Sequence, residues 1–262
     1  MDLGLAGKRA LVLGGNRGIG FGIAKALAEE GAHVAIAARD PERLRTAAAE
    51  LNALGKAEVT TAELDLSRTA GIPAFAAELT SRFGPIDILV NNTGGPAYGG
   101  AAGRPIEDWH SAFQDMVLAV IAMTDALLPA MRARRFGRIL TVVSSGIIQP
   151  IPVLAISNSL RASLVSWSKT LSDEVAADGV TANILMPGRI DTERVRMTDQ
   201  ATAQRQNIPV DEVAKRSHAT IPMRRYGRVE ELAAAAAFVL SERASYMTGS
   251  IVRVDGGIVR TP

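Results

Sequence analysis

The sequence contains no cysteine in its 262 residues, which removes disulfides, thiolate nucleophiles and cysteine-held metals from consideration. Histidine is nearly as scarce, and His33, His110 and His218 are too scattered to suggest a zinc site. Tyrosine occurs only as Tyr98, Tyr226 and Tyr246. The longest apolar stretches, such as Ile147 to Ile156, are broken by Gln149, Pro150 and Pro152, so no bilayer-spanning run is expected. Met1 to Lys8 has no basic region leading into an apolar core, and a secretory signal is not expected either. No Pro-, Gly- or Ser-rich linker divides the chain. The formal charge of +2 is too small to argue for a nucleic-acid partner. Hydrophobic residues make up 47%, enough to exclude disorder as the general state. These exclusions leave a soluble, cytoplasmic, single-domain protein with one sizeable core.

Short apolar runs alternate with helical periodicity along the chain. Arg9 to Leu13 reads as a buried strand ending in glycines, and Ile19, Ile23, Ala26 and Leu27 recur at helical spacing up to Gly31. His33 to Ala37 is a second strand, followed by a helix over Pro41 to Leu54 with Asp40 as its N-cap. Further strands are expected at Glu58 to Leu64, Ile86 to Asn91, Arg138 to Ser144, Thr181 to Met186 and Ser250 to Val254. Helices are expected at Glu107 to Arg134, Leu154 to Ala177 and Glu230 to Leu240. Seven buried-type strands with helical crossovers imply a mostly parallel, doubly wound α/β sheet. The stretch 189–228 breaks this rhythm and reads as a lid or substrate loop.

Gly14-Gly15-Asn16-Arg17-Gly18-Ile19-Gly20 lies between the first strand and the first helix. Glycines there allow a tight turn and a close backbone approach, while the helix start offers free N–H groups to a pyrophosphate. No Gly-Lys-Ser/Thr follows, which argues against a P-loop triphosphatase. At the end of the second strand, where NAD sites usually carry an acidic residue, the chain has Ala38 and Arg39. Arg17 and Arg39 suit a 2′-phosphate, so NADP(H) is favoured over NAD(H).

These features, with others at fixed spacing, resemble the short-chain dehydrogenase/reductase family over almost the whole length, nearest its 3-oxoacyl-carrier-protein reductase-like branch. The matching residues are Gly14, Gly18 and Gly20; Asp65-Leu66; Asn91-Asn92-Thr93-Gly94, with Thr for the usual Ala; Pro187-Gly188 with Thr192; and Asp255-Gly256-Gly257. The resemblance implies a single Rossmann-like domain over 1–262 and a cofactor site formed by Gly14, Asn16, Arg17, Gly18, Ile19, Gly20, Arg39, Asp65, Leu66, Asn91, Thr93, Gly94, Arg161, Pro187, Gly188, Ile190 and Thr192. It also implies no metal, a small-molecule carbonyl substrate, and a homo-oligomer, tetramer or dimer, built on long helices and the last strand. Trp167 and the helix Glu230 to Leu240 suit such contacts.

The family's chemistry resembles an Asn-Ser-Tyr-Lys arrangement, and here this chain departs from it. Ser144 matches the serine, but the tyrosine position holds Ser157, the lysine position Arg161 and the asparagine position Met116. No Tyr-x-x-x-Lys occurs anywhere in the chain. A serine hydroxyl is far too weak an acid to replace a tyrosine, and arginine stays protonated. Arg161 remains able to hold the cofactor ribose, a developing alkoxide or an anionic substrate. Tyr98, beyond the Asn91 to Gly94 segment, is the foremost substitute proton donor, with His218 and Tyr226 behind it. The lid carries nine Lys/Arg against five Asp/Glu, a charge that would draw an anionic substrate. A basic group at Arg132, Arg134, Arg135 and Arg138 suggests, by the same resemblance, docking of an acidic carrier. The sequence thus points to an NADPH-dependent carbonyl reductase with altered proton delivery. Its alternatives are a non-redox NADP(H)-binding sensor, and a lyase or isomerase using Ser144, Ser157 and Arg161 as an anion cluster.

Overall fold

The computed structural model describes residues 1–261. Seven parallel strands form one sheet: β1 (Arg9–Leu13), β2 (His33–Ala38), β3 (Val59–Glu63), β4 (Ile88–Asn91), β5 (Gly137–Val142), β6 (Val180–Pro187) and β7 (Ile251–Val254). Their order is β3-β2-β1-β4-β5-β6-β7, so the chain runs outward from β1 and then crosses to β4 on the other side. The carboxyl ends of β1 and β4 therefore border the crevice where open α/β sheets bind ligands.

Each face of the sheet is covered by helices. On one, α1 (Gly18–Glu29), α2 (Pro41–Asn52) and α9 (Val229–Leu240) bury Ile23, Leu27, Leu44 and Leu232 against Val12, Val34 and Ile36. On the other, α3 (Ile72–Phe83), α5 (Ala119–Ala133) and α6 (Ala155–Val175) bury Leu79, Met123, Leu127 and Leu171 against Leu11, Leu89 and Ile139. Period-two burial on both faces explains why β1, β2 and β4 read as continuous apolar runs. Helix α2 begins as its sequence requires, with Asp40 Oδ1 accepting from Arg43 N at 3.1 Å and Pro41 in the first turn.

Helix α4 (Ile106–Phe113) joins α5 through a π-helical turn at Gln114–Leu118. The combined segment Ile106–Ala133 is, over 28 residues, long and apolar enough to cross a bilayer by length and composition. No unbroken apolar run marks it in the sequence, because Asp108, Gln114, Asp115, Asp125 and Pro129 intervene. Here it packs as a core helix, burying Ala119, Val120, Met123, Leu127 and Met131.

The stretch 189–228 is not the loop its composition suggests. It folds into two helices, α7 (Glu193–Gln206) and α8 (Val210–Thr220), carried on a parallel bridge between Ile190 and Gly227. Their few buried residues, Asp199, Ala203 and Val213, explain why no amphipathic stripe was visible.

The cluster of arginines after α5 lies at the amino ends of the strands, away from the crevice, and its charges are already engaged. Arg132 pairs with Asp178 and Arg134 with Asp87, while Arg135 donates to Ala177 O. Arg138 is buried in β5 and donates to the carbonyls of Ser241, Gly137 and Gly179. Among the described residues Arg135 alone of this exposed group has no carboxylate partner.

Candidate active site

Backbone conformation at Gly14 and Gly18 and close contacts at Gly14, Gly15 and Gly20 shape the glycine turn. Gly14 and Gly18 have φ of +61° and +56°, in the left-handed region that favours glycine. A Cβ on Gly20 would lie 2.2 Å from the Gly14 carbonyl oxygen, so the first turn of α1 sits directly on the loop. Asn92 Nδ2 donates to Leu13 O at 3.2 Å, fastening the end of β1 to the end of β4. The α1 N-terminus receives no side-chain cap, and no acidic residue stands in its first turn. Its N–H groups and dipole are available to an anion, which is what a dinucleotide pyrophosphate requires. Asn16 and Ile19 are half-buried in this turn.

Arginines surround the outer end of the turn. Arg17 and Arg43 both donate to Glu193 Oε2, at 3.1 and 3.2 Å, and together they hold the Glu193 carboxyl below the ordinary range. Arg17 is thus bridged to the start of α7 through a carboxylate, an arrangement not foreseen from sequence. Arg43 was missed because helix spacing alone does not reveal that α2 aims it at the glycine turn. Arg39 is exposed at the end of β2, and its charge acts on both Asp65 and Asp115. Asp65 Oδ1 accepts from the backbone and hydroxyl of Ser67, and these bonds lower its pKa. Leu66 packs partly against the core. Asp115, on the π-turn, was also missed: burial and then Asp65 raise its pKa, and its Oδ1 is buried without a partner.

The segment after β4 turns its side chains in different directions. Asn91 Nδ2 donates to Thr124 Oγ1 and Thr141 Oγ1, at 3.2 and 3.4 Å, so this side chain serves the interior and only its backbone borders the crevice. Thr93 is buried with an unpartnered hydroxyl. Beyond β6, Pro187 and Gly188 lead to Ile190, which is buried at the base of the lid. Thr192 caps α7 by accepting from Val195 N at 3.4 Å, and it stands over Gly18.

Ser144 follows the carboxyl end of β5, and Arg161 reaches the same end from α6. Ser144 Oγ accepts from Gly146 N at 3.2 Å, leaving its own proton free for another acceptor. Asn158 ties the start of α6 to this turn by bonding both N and O of Ile151. One helical turn apart on the inner face of α6, Ser157 and Arg161 are both buried. Arg161 Nη1 donates to Val142 O at 2.7 Å, and Nη2 donates to Thr93 O and Gly94 O at 3.3 and 3.2 Å. The guanidinium therefore links the ends of β4 and β5. Burial, and then the charge of Arg194, bring its pKa down to about 10, so it remains cationic at neutral pH. Met116 joins an apolar cluster with Val120, Ile156 and Leu160 and offers no proton.

The substitute proton donors are turned toward the lid. Tyr98 is hydrogen-bonded to Thr198 Oγ1, whose own proton goes to Arg194 O, so the phenol is the donor. The backbone nevertheless brings Tyr98 close to α6, because Gly99 pairs with Leu154. Tyr226 donates to Asp199 Oδ2 at 2.7 Å, and burial raises its pKa. His218 packs edge-on against Tyr226 at 4.5 Å between ring centres. Arg189 pairs with Asp199, closing a buried polar group inside the lid.

Residues 14–259 match the family described as Enoyl-(Acyl carrier protein) reductase. The chain is 35% identical to the rhamnolipids biosynthesis 3-oxoacyl-[acyl-carrier-protein] reductase of Pseudomonas aeruginosa, over 97% of this chain and 96% of that one. L-Sorbose reductase of Gluconobacter frateurii, solved with NADPH and L-sorbose, superposes with a TM-score of 0.95 at 34% identity, covering 100% of both chains. Actinorhodin polyketide ketoreductase, solved with NADPH, superposes with a TM-score of 0.92 at 31% identity, over 97% of this chain and 98% of that one.

Proposed function

This chain belongs to the short-chain dehydrogenase/reductase family, and we propose that it is an NADPH-dependent reductase of a ketone or 3-oxoacyl-type carbonyl. The observation that carries the reading is the uncapped α1 N-terminus behind the glycine turn, with Arg17 and Arg43 meeting on Glu193 at its outer end and Arg39 exposed at the end of β2. NADPH, when bound, supplies the hydride that the carbonyl carbon receives. The α1 N–H groups would hold its pyrophosphate, the arginines its 2′-phosphate, and Asp65 with Leu66 its adenine. The backbone of Asn91, Thr93 and Gly94, the segment Pro187, Gly188, Ile190 and Thr192, and the Arg161 guanidinium would hold the nicotinamide end.

The chain's own residues must then manage the oxygen of the substrate. Ser144 has its proton free to donate to the carbonyl oxygen. Arg161, cationic and withdrawn from water, stabilises the alkoxide as charge develops there. Ser157 serves as a relay through water rather than as an acid, since its hydroxyl does not ionise near neutral pH. Tyr98 reaches the oxygen only if its bond to Thr198 is released. Loss of a positioned general acid typically costs about 10²–10⁴-fold in rate, so turnover slower than a tyrosine-bearing relative's is expected. Residues 189–228 act as the substrate lid, and the protein assembles as a homo-oligomer.

One observation favours a second reading. Met116, Ser157 and Arg161 leave the reaction centre without any group that titrates near neutral pH, which suits a non-redox NADP(H)-binding protein. NADPH oxidation followed against a panel of small ketones and 3-oxoacyl thioesters separates the two. The reductase reading expects turnover with NADPH in preference to NADH, and a fall in kcat of about 10²-fold in Ser144→Ala. Tight NADPH binding with no oxidation across the panel would favour the non-redox reading.

A further inference from the structure

Among the described residues, four that are not glycine have positive φ: Arg135, Val153, Asn207 and Arg224. Three of these have a local reason. Asn207 is the left-handed cap of α7. Arg135 follows the end of α5 and donates to Ala177 O, and Arg224 folds back on α8 to donate to Ala219 O. Val153, at φ +61°, closes no helix, and its side chain has nothing to donate. It is also β-branched, the kind of residue that tolerates this conformation least. Burial does not compensate, since the side chain is 46% exposed.

The position of Val153 is fixed by its backbone. Its carbonyl accepts from Gly99 N at 2.8 Å, and Gly99 pairs with Leu154. Val153 lies four residues before Ser157, and Tyr98 four residues after Gly94, whose carbonyl Arg161 holds. This pairing therefore joins the two segments that flank the candidate reaction centre. Tyr98 in turn is bonded to Thr198 of α7. Met197 adjoins Thr198, one helical turn beyond Arg194, whose guanidinium stands 6.0 Å from the centre of the Tyr98 ring. Tyr98 and Met197 are exposed apolar surface like Val153, at 43% and 58%. The polar atoms among them are already used. The Tyr98 phenol goes to Thr198, the Thr198 proton to Arg194 O, and Arg194 itself to Gly95 O and Pro96 O.

We propose that Val153, Tyr98 and Met197 form an apolar rim that receives an alkyl substituent of the substrate, with Val153 setting how long a chain is preferred. A β-branched residue at positive φ gives up stability, and leaving it half in water returns none of it. Covering it with a ligand does, and the gain grows with each methylene removed from water. The positive composition of the lid does not oppose this choice, because Arg189, Arg196, Arg216, Arg225 and Arg228 each meet a carboxylate. Naming the substrate a ketone rests on the reductase reading, whereas the apolar rim does not.

The test titrates the full chain, loaded with NADP⁺, with 2-butanone, 2-hexanone and 2-octanone by calorimetry. Affinity is expected to rise about two- to four-fold for each methylene added, the upper figure corresponding to full burial. Val153→Gly and Val153→Asn should keep the parent's melting temperature, because both residues accept positive φ, and should flatten the rise with chain length. Met197→Gln, on the exposed face of α7, should weaken the same rise from the other side of the rim. Affinity independent of chain length, no binding of any ketone, or an unchanged rise in all three variants would overturn the proposal. Ketones that bind with the expected rise but are never reduced by NADPH would keep the rim and reject the reductase reading. Ketones reduced with no dependence on chain length would do the reverse.

Discussion

Glu193 occupies a position where two functions compete. Its carboxylate accepts from Arg17 and Arg43, the arginines nearest the glycine turn, and it begins the helix that forms the lid. A 2′-phosphate would need the same guanidiniums. Glu193→Gln is therefore expected to bind NADPH several-fold more tightly than the parent chain, with NADH unchanged, in a fluorescence titration. Equal gains for both cofactors would show that the arginines do not read the phosphate. The sign of the pH dependence follows, since Glu193 is held below its ordinary pKa. The bridge is intact at neutral pH and lost as pH falls through the lowered value, so the advantage of the variant should shrink in acid. Arg17 and Arg39 could be picked out in the sequence because strand ends and glycine turns are local signals. Arg43, Glu193 and Arg194 could not, because each acts across a contact between elements far apart in the chain.

At the scale of elements, periodicity and capping carried most of the information. The seven strands lie where apolar runs place them, and Asp40 and Gly31 mark helix boundaries as their chemistry requires. The lid is the main exception. Helices α7 and α8 are polar over most of their surface and are held by ion pairs and by the buried Asp199–Arg189–Tyr226 group, which has no periodic signature. The π-turn at Gln114–Leu118 is equally hidden, yet it sets Asp115 beside Asp65 and sends Met116 into the core. Helix α9 shows how such a polar lock responds to acid. Glu231 accepts from both Arg225 Nη atoms, at 2.8 and 2.7 Å, and from Arg228 N at 2.7 Å. The Arg225 guanidinium, aided by the Arg228 N–H, brings its pKa from 4.5 down to about 2. A depressed carboxylate stabilises the fold above its unfolded pKa and loses that contribution as pH falls through the folded one. Glu231→Gln should therefore melt below the parent chain at neutral pH, with the gap closing between about pH 4.5 and pH 2. A gap that persists at pH 2 would assign the effect to packing instead.

For the whole molecule, the sheet order sets β1, β4, β5 and β6 side by side with their carboxyl ends on one edge, and α7 and α8 follow β6 on the Ile190–Gly227 bridge. The glycine turn, Arg39 and the Asp65-Leu66 pair lie in or after β1 to β3, where the sequence motifs are dense and local. Beyond β4 the reactive geometry is a buried guanidinium, two serines and a lid arginine. Their meaning depends on which backbone carbonyls and carboxylates they find in three dimensions. This rearranged centre is expected still to transfer hydride to a carbonyl. The most direct measurement incubates the protein with NADPH deuterated at the transferring position and a chemically diverse metabolite extract, then searches by mass spectrometry for protein-dependent label. Deuterium on the carbinol carbon of a product alcohol is the expected result, and the labelled product identifies the substrate. Cofactor binding without any labelled product would contradict that expectation.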